Sequence, residues 1–532
     1  MPIVFALVFV TGMFLGAQLI SGSSSSAKNN KLFSLGFGKY DKLNDVLNYI
    51  HESYVDSVTI DQLTEDAISS LLEKLDPHST YITAAEFNEA NDPLEGSFEG
   101  IGVEFRIQRD SITVMNVVPG GPSEGVGVMA GDRIVKVDGK NVAGIKITNN
   151  EVMKKLKGKK GTKVKINVFR HGVSKLLEFT ITRNVIPTYS LDIAYMLTDK
   201  IGYIKLSKFS ATTHDEFLTA IEKLKARGMK KLVLDLRDNG GGYLKAAIDI
   251  ADEFLSTGKL IVYTKGVHKP KETDKATSEG NFESGQLVIL INEFSASASE
   301  IVAGAIQDND RGYIIGRRSF GKGLVQQQLN LTDGSAIRLT VARYYTPTGR
   351  CIQRPYTGGT EEYYAQFYAQ FLDGDSENPD SIKLADSLKF TTPKGKVVYG
   401  GGGIMPDIFV PMGKDENSKY FNLLYNKGLF IQYAFEYTDK NRQSIKTTYK
   451  DAAGFVKSFT ISSSMFEGLI AYAVKNGVKT DANGIAASKE IIKIYLKAFI
   501  GRNIFDDEAF YPVIQKEDKT LLKAITVLDT LK

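Results

Sequence analysis

The chain has 532 residues, with 66 Lys and Arg against 62 Asp and Glu, a net charge of +4 and a hydrophobic share of 42%. That length holds roughly three or four domains, and a charge so near balance gives no basis for a nucleic-acid partner. Its single cysteine, Cys351, excludes an intrachain disulfide framework, and the five histidines His51, His78, His171, His214 and His268 have none of the spacings of a zinc centre, so no metal is expected.

Residues 2–20 form an apolar, almost uncharged stretch just long enough to span a bilayer, and the run Ser21-Gly22-Ser23-Ser24-Ser25-Ser26 after it reads as a linker. The positive n-region of a secretory signal is missing, which favours retention as a membrane anchor over cleavage; a buried core helix is the structural alternative. Residues 1–35 are therefore expected to be an anchor or signal segment with its linker. The expected location is periplasmic or otherwise extracytoplasmic, tethered to the inner membrane. Residues 36–97 have helical periodicity, with Leu43, Val46, Leu47 and Ile50 on one stripe and Ile68, Leu71, Leu72 and Leu75 on another. A small helical docking element is expected there, with His78 in a turn between helices.

From residue 98 to 185 the pattern changes to strands. Gly100-Ile101-Gly102-Val103-Glu104-Phe105 reads as a glycine loop entering a strand, and Pro119-Gly120-Gly121-Pro122-Ser123 and Ala130-Gly131-Asp132-Arg133-Ile134-Val135 match the segments that follow such a loop in PDZ domains. A glycine-rich β-turn explains the loop alone. With its flanks the region resembles a PDZ domain, in which the amides of Ile101, Gly102 and Val103 would receive a peptide's terminal carboxylate while the peptide adds as a strand beside Val103 to Ile107.

Residues 186–411 alternate apolar strands such as Ile201-Gly202-Tyr203-Ile204 and Leu287-Val288-Ile289-Leu290-Ile291 with helices, the pattern of an α/β core. Within it a short buried strand, Lys231 to Asp235, runs through Leu236-Arg237-Asp238-Asn239 into Gly240-Gly241-Gly242, and then into a helix with Leu244, Ala247, Ile248, Ala251 and Phe254 at helical spacing. Glycines let amides approach a ligand there, and amides near a helix start attract developing negative charge; an ordinary strand-to-helix turn has the same composition. Ser297-Ala298-Ser299-Glu300 is by itself a capping box, and Gly321-Lys322-Gly323 by itself a turn. Gly316-Arg317-Arg318-Ser319-Phe320-Gly321-Lys322 has the spacing of a phosphate-binding loop but fails it twice. Gly323 stands where a magnesium-binding hydroxyl is needed, and Leu324 to Leu329 reads as strand rather than helix. The polar stretch 356–391 is expected as a surface insertion or lid, its Tyr363, Tyr364, Phe367, Tyr368 and Phe371 packing a short helix. Residues 412–532 read as helical, with roles as a cap on the core, an adaptor site or a homo-oligomer interface left open.

Five motifs follow one another: Leu75-Asp76-Pro77-His78-Ser79-Thr80-Tyr81, the Gly100 to Val103 loop, Leu236-Arg237-Asp238-Asn239 with its glycines, Ser295-Ala296-Ser297-Ala298-Ser299-Glu300, and Phe320-Gly321-Lys322-Gly323-Leu324-Val325-Gln326. Gly403-Ile404-Met405-Pro406-Asp407 completes the set. Together they resemble the carboxyl-terminal processing peptidases, or tail-specific proteases, over residues 36–411. The resemblance implies a multidomain α/β protein: a ClpP/crotonase-like catalytic core with an inserted PDZ domain, an N-terminal helical element and a C-terminal helical region. It implies Ser297 as nucleophile, 25 positions before the lysine, with Lys322 as base, Gln326 orienting its amine, and the amides of Gly241 and Ala298 as oxyanion hole. Ser295 and Ser299 are left as neighbours. The family usually carries Pro where this chain has Gly240, which frees the turn.

Such chemistry needs no cofactor but does need a neutral lysine, which burial can supply by lowering the ammonium pKa, with Phe320, Leu324 and Val325 excluding water. A Ser-His-Asp triad stays open because triads assemble from distant positions, although no histidine sits in a matching segment. The expected function is an exported serine endopeptidase that acts on protein or peptide substrates with nonpolar C-termini through an acyl-enzyme. The other class in view is a non-catalytic PDZ peptide-binding scaffold, which would need none of Ser297, Lys322 and Gln326.

Overall fold

The computed structural model describes residues 42–108, 110–372, 385–412 and 418–531, so the expected anchor at 2–20 and its linker lie outside the described residues. Among the described residues no helix is long and apolar enough to cross a membrane. The chain divides into one unit ending at Ser70 and another beginning at Leu71. In the first, the helix Lys42–Ser53 buries Leu47 but leaves Leu43 and Val46 of the same stripe exposed, and a second helix begins at Ile60. Helical spacing marks the face that can be buried, and here only its centre is.

Helix gives way earlier than the sequence pattern indicates, at Glu73. Asp76 offers the backbone a competing arrangement: its carboxylate accepts from the N–H groups of His78 and Ser79 at 2.8 Å each, and from Ser79 Oγ at 2.7 Å. His78 therefore precedes a strand, Thr80–Ile82, instead of lying between two helices. That strand pairs with Ala336–Tyr345, and the helix Phe87–Glu95 follows it.

The PDZ-like region forms an antiparallel sheet in the order Val103–Gln108, Ser111–Val117, Arg133–Val137, Lys163–Phe169, Leu177–Thr182, closed over Ile112, Val114, Ile134, Ile166, Val168 and Ile181. Val103–Gln108 is its edge strand, the position from which a sheet can be extended.

The central sheet runs Leu191–Met196, Ile201–Leu206, Lys231–Asp235, Gln286–Ile291, Tyr313–Gly316, Ile408–Phe409, parallel throughout except for its first pair. Period-two alternation gives each strand two apolar faces. Ile204, Leu232, Leu234, Leu287 and Ile289 pack on the crossover helices Thr213–Ala226, Leu244–Asp252 and Ala298–Asp308. Tyr203, Val233, Val288 and Leu290 pack on Leu521, Ala524 and Leu528 of the helix Lys519–Thr530. Part of the C-terminal region is thus a cap on the core. Its preceding helices, within 419–514, close around their own cluster, which includes Phe421, Phe430, Phe455 and Leu496.

Candidate active site

Two neighbouring parallel strands, Lys231–Asp235 and Gln286–Ile291, deliver loops at their carboxyl ends, where open α/β sheets form ligand crevices. Side chains stitch these loops together. Asn292 Oδ1 accepts the Asp238 N–H at 2.9 Å, Ser295 Oγ donates to the Leu236 carbonyl at 2.7 Å, and Ser299 Oγ donates to the Asn239 carbonyl at 2.8 Å. Ser295 and Ser299 are thereby buried and committed to backbone, whereas Ser297 lines a cleft of about 370 Å³. Arg237, in the same turn, bridges the core strand to the C-terminal region: it pairs with Asp235 at 2.5 Å and with Asp518, at the start of the last helix, at 2.6 Å.

Ser297 has φ +56° and ψ −111°. A residue with a Cβ is held in such a conformation at a cost of about 1–3 kcal/mol, so the surroundings must enforce it. Gly241, at φ +102°, lies against this bend: a Cβ there would come within 2.8 Å of the Ala296 carbonyl oxygen and of Ser297 Cβ, and within 3.0 Å of the Ala298 nitrogen. Only glycine fits. Around Gly240, where the family carries Pro, a Cβ would meet nothing within 4 Å. The Gly241 N–H donates to Asn239 Oδ1 at 2.9 Å, while Gly240, Gly242 and Ala298 line the cleft.

Glu300 organises the rest. Its Oε2 accepts the Ser297 N–H at 2.8 Å and the Lys322 N–H at 2.9 Å; its Oε1 accepts Ser319 Oγ at 2.5 Å and the Gly321 N–H at 2.7 Å. The glutamate that reads as one half of a capping box thus also anchors the lysine loop. Burial pushes its carboxyl up to about 7, against the four donated hydrogen bonds that favour the charged form. The late Gly403 motif joins the same network, since the Ile404 N–H donates to Ser319 Oγ at 2.6 Å. Tyr344 Oη spans the two halves of the site, donating to the carbonyls of Lys322 at 2.9 Å and Ser297 at 3.2 Å.

Lys322 precedes the strand Leu324–Asn330, and its Nζ donates to Gln326 Oε1 at 3.1 Å. A register shift between Val325 and Gln326 interrupts the pairing with Ala336–Tyr345, the kind of bulge that re-aims a side chain. Gln326 Nε2 donates in turn to the His78 carbonyl. Burial lowers the Lys322 ammonium below its ordinary value, with Asp76 and Glu300 opposing and Arg338 assisting. Burial, then the proximity of Lys322, lowers the His78 imidazole to about 4. That ring meets Tyr363 edge-on at 5.4 Å, and Phe320 packs on Phe367 at 4.8 Å, so Tyr363 and Phe367 of the helix Thr360–Leu372 wall off the lysine loop from behind. Tyr368 is exposed, and the Phe371 side chain lies outside the described residues.

The cleft's other wall is the helix Phe87–Glu95, which contributes Asn91, Leu94 and Glu95. It is tied down by Tyr243 Oη on Glu95 Oε1 at 2.6 Å and by Arg338 on the Ala90 carbonyl and Asn91 Oδ1 at 3.0 Å. Nothing local marks Asn91, Glu95, Arg338 or Tyr344 as site residues, and only tertiary placement brings them in. A second groove, of about 440 Å³, is lined by Ile101, Gly102, Val103 and Phe105 of the PDZ-like sheet and by Asp92 and Pro93 of the same Phe87–Glu95 helix.

The family model for Peptidase family S41 matches residues 200–362 and that for the PDZ domain matches residues 100–181. The activating protease CtpB N-terminal domain matches residues 7–85, and a family of unknown function matches residues 420–506. The carboxy-terminal-processing protease of Bartonella bacilliformis is 37% identical over 355 residues, covering 65% of this chain and 80% of that protein. Carboxy-terminal processing protease CtpA of Bacillus subtilis is 35% identical over 352 residues, covering 66% of this chain and 74% of that protein. The solved structure of a photosystem II D1 C-terminal processing protease is 28% identical, with a TM-score of 0.34, covering 58% of this chain and 89% of that one. Peptidase core and PDZ domain together define a serine-type endopeptidase. The chain belongs to the carboxy-terminal processing protease family.

Proposed function

We propose that this protein is an exported Ser-Lys endopeptidase that takes hold of free, nonpolar C-terminal tails through its PDZ loop and cleaves its substrates through an acyl-enzyme on Ser297. The observation that carries this reading is the setting of Lys322: buried, its amine on Gln326, its backbone and that of Ser297 bound to the same Glu300 oxygen, and both side chains on one cleft. A lysine kept neutral by burial takes the Ser297 Oγ proton as the oxygen attacks the scissile carbonyl, then passes it to the leaving amine. Lys322, neutral again, then takes a proton from a water as it attacks the acyl carbonyl and returns it to Ser297 Oγ, which leaves.

The amide of Ala298 and that of Gly241 are the proposed oxyanion donors. Because the Gly241 N–H is engaged with Asn239 Oδ1, the glycine turn has to release it when substrate arrives. The amides of Ile101, Gly102 and Val103 are proposed to receive the tail's carboxylate, with residues 2–20 anchoring the enzyme to the membrane outside the cytoplasm. The test is mass spectrometry of an unstructured protein bearing a nonpolar tail, incubated with wild type, Ser297→Ala and Lys322→Ala. Cleavage by wild type alone, unaffected by a chelator, is expected; full activity of either variant would refute the dyad. Equal handling of free and amidated tails would refute tail recognition.

A further inference from the structure

Residues 420–506 match a family of unknown function, and the peptidase motifs stop before them. Their contacts point to a role. In the PDZ edge strand, Val103, Phe105 and Ile107 pack toward the domain's own core, and period two turns Glu104 and Arg106 to the opposite face. Arg502 of the C-terminal region comes near Arg106 on that side and Asp507 near Glu104, like charge against like in each case, so neither pair holds the two parts together. At this point the helical run Lys489–Ile514 breaks: Phe505 and Asp506 leave helical geometry, Asp506 at φ +52° and ψ −151°, a strained conformation for a residue with a Cβ. The strained carboxylate accepts Asn116 Nδ2 of the neighbouring PDZ strand at 2.9 Å. A second contact lies elsewhere on the domain, where Arg133 pairs with Asp439 at 3.7 Å. Beside it, a Cβ at Gly131 would come within 3.2 Å of Asp439 Oδ1.

We propose that residues 419–514 are a docking arm for the PDZ domain, seating Asn116 on the helix break at Asp506 and Arg133 on Asp439. The arm grips the strands Ser111–Val117 and Arg133–Val137 and leaves the peptide groove on Val103 and Phe105 facing the Phe87–Glu95 helix. Its contacts are polar and partly exposed rather than an apolar core, which makes the seat separable. Strain at Asp506 fits a joint that the domain itself helps to hold in shape.

The test uses the full chain as wild type, Asn116→Ala, Asp439→Arg, Arg133→Asp and the Arg133→Asp/Asp439→Arg swap. Hydrogen exchange is followed over residues 103–108 and 502–507, together with binding of a fluorescent peptide that ends in a free nonpolar residue. Each single variant is expected to speed exchange in both segments and to shift peptide affinity about two- to fivefold, the scale of a partly exposed ion pair. The swap is expected to restore both. Unchanged exchange in the single variants, or a swap as loose as its parents, overturns the docking arm. The inference rests on the PDZ reading only through its peptide arm: a wild type that binds no peptide would strike that reading, while the exchange data still decide the docking.

Discussion

Glu300→Gln keeps the side chain's shape and changes only what it can accept. The carboxylate now takes four donors, two on each oxygen. Glutamine has one oxygen. If that oxygen stays on Ser297 and Lys322, the new NH₂ faces Ser319, whose hydroxyl can rotate to accept it, and the Gly321 N–H, which cannot. The Gly321 N–H is orphaned and the Ser319 hydroxyl proton loses its acceptor; the reverse orientation orphans the N–H groups of Ser297 and Lys322. An orphaned buried donor costs about 1–3 kcal/mol, and relief comes only by shifting the backbones that carry Ser297 and Lys322. At about 1.4 kcal/mol per factor of ten, kcat is expected to fall roughly fivefold to 150-fold. KM should hold, because Glu300 is fully buried and does not line the cleft. The assay is steady-state cleavage of a quenched peptide, with thermal unfolding run on the same material. A folded variant with kcat within twofold of wild type and unchanged stability would refute the organising role given to this carboxylate.

Cleavage should climb with pH through neutrality, because below about 7 Glu300 takes up a proton while above it the neutral fraction of Lys322 grows; a rate falling from pH 6 to 9 contradicts both. For stability the sign is opposite. A carboxyl raised by burial contributes most below its unfolded value and loses that contribution as pH rises through about 7, so the Tm of wild type should fall across this window relative to that of Glu300→Gln. His78→Phe should lose less than about a hundredfold in rate, the lower bound for removing a general base, since an imidazole lowered to about 4 is too weak a base to serve well near neutrality; a loss matching Lys322→Ala would favour a histidine mechanism. Gly241→Ala should lower both Tm and kcat, by about 1–3 kcal/mol for the backbone alone, because its Cβ would collide with the Ser297 bend; a wild-type Tm would show that the turn yields.

Much of this architecture is written locally. The unbroken apolar run Leu287 to Ile291 marks a strand buried on both faces, and the Ser297 and Lys322 motifs, read separately, meet at one cleft. The capping-box reading of Glu300 and its place in the site turn out to be the same bond, since the Ser297 N–H that it caps belongs to the residue in the cleft. What stayed hidden depends on partners far away in sequence. Nothing near Glu300 announces that its other oxygen will hold Gly321, nothing in Leu521, Ala524 and Leu528 tells a helix that caps the sheet from one that binds a partner, and the helical stripe past Glu73 gives no warning that Asp76 will turn the chain. Local pattern fixes which face is apolar or which group can cap; the long-range fold chooses the companion.

The last helix covers the second face of the central sheet, and Asp518 at its start holds one side of the Arg237 guanidinium in the glycine turn. A ribosome makes the strands at 231–235 and 286–291 long before it makes residues 519–530. Until then Val233, Val288 and Leu290 lack their cover, and Arg237 in the turn beside Ser297 has Asp235 but not Asp518. Synthesis order itself therefore delays completion of this core: the sheet and the turn beside Ser297 become whole only after a distant segment has emerged and folded back.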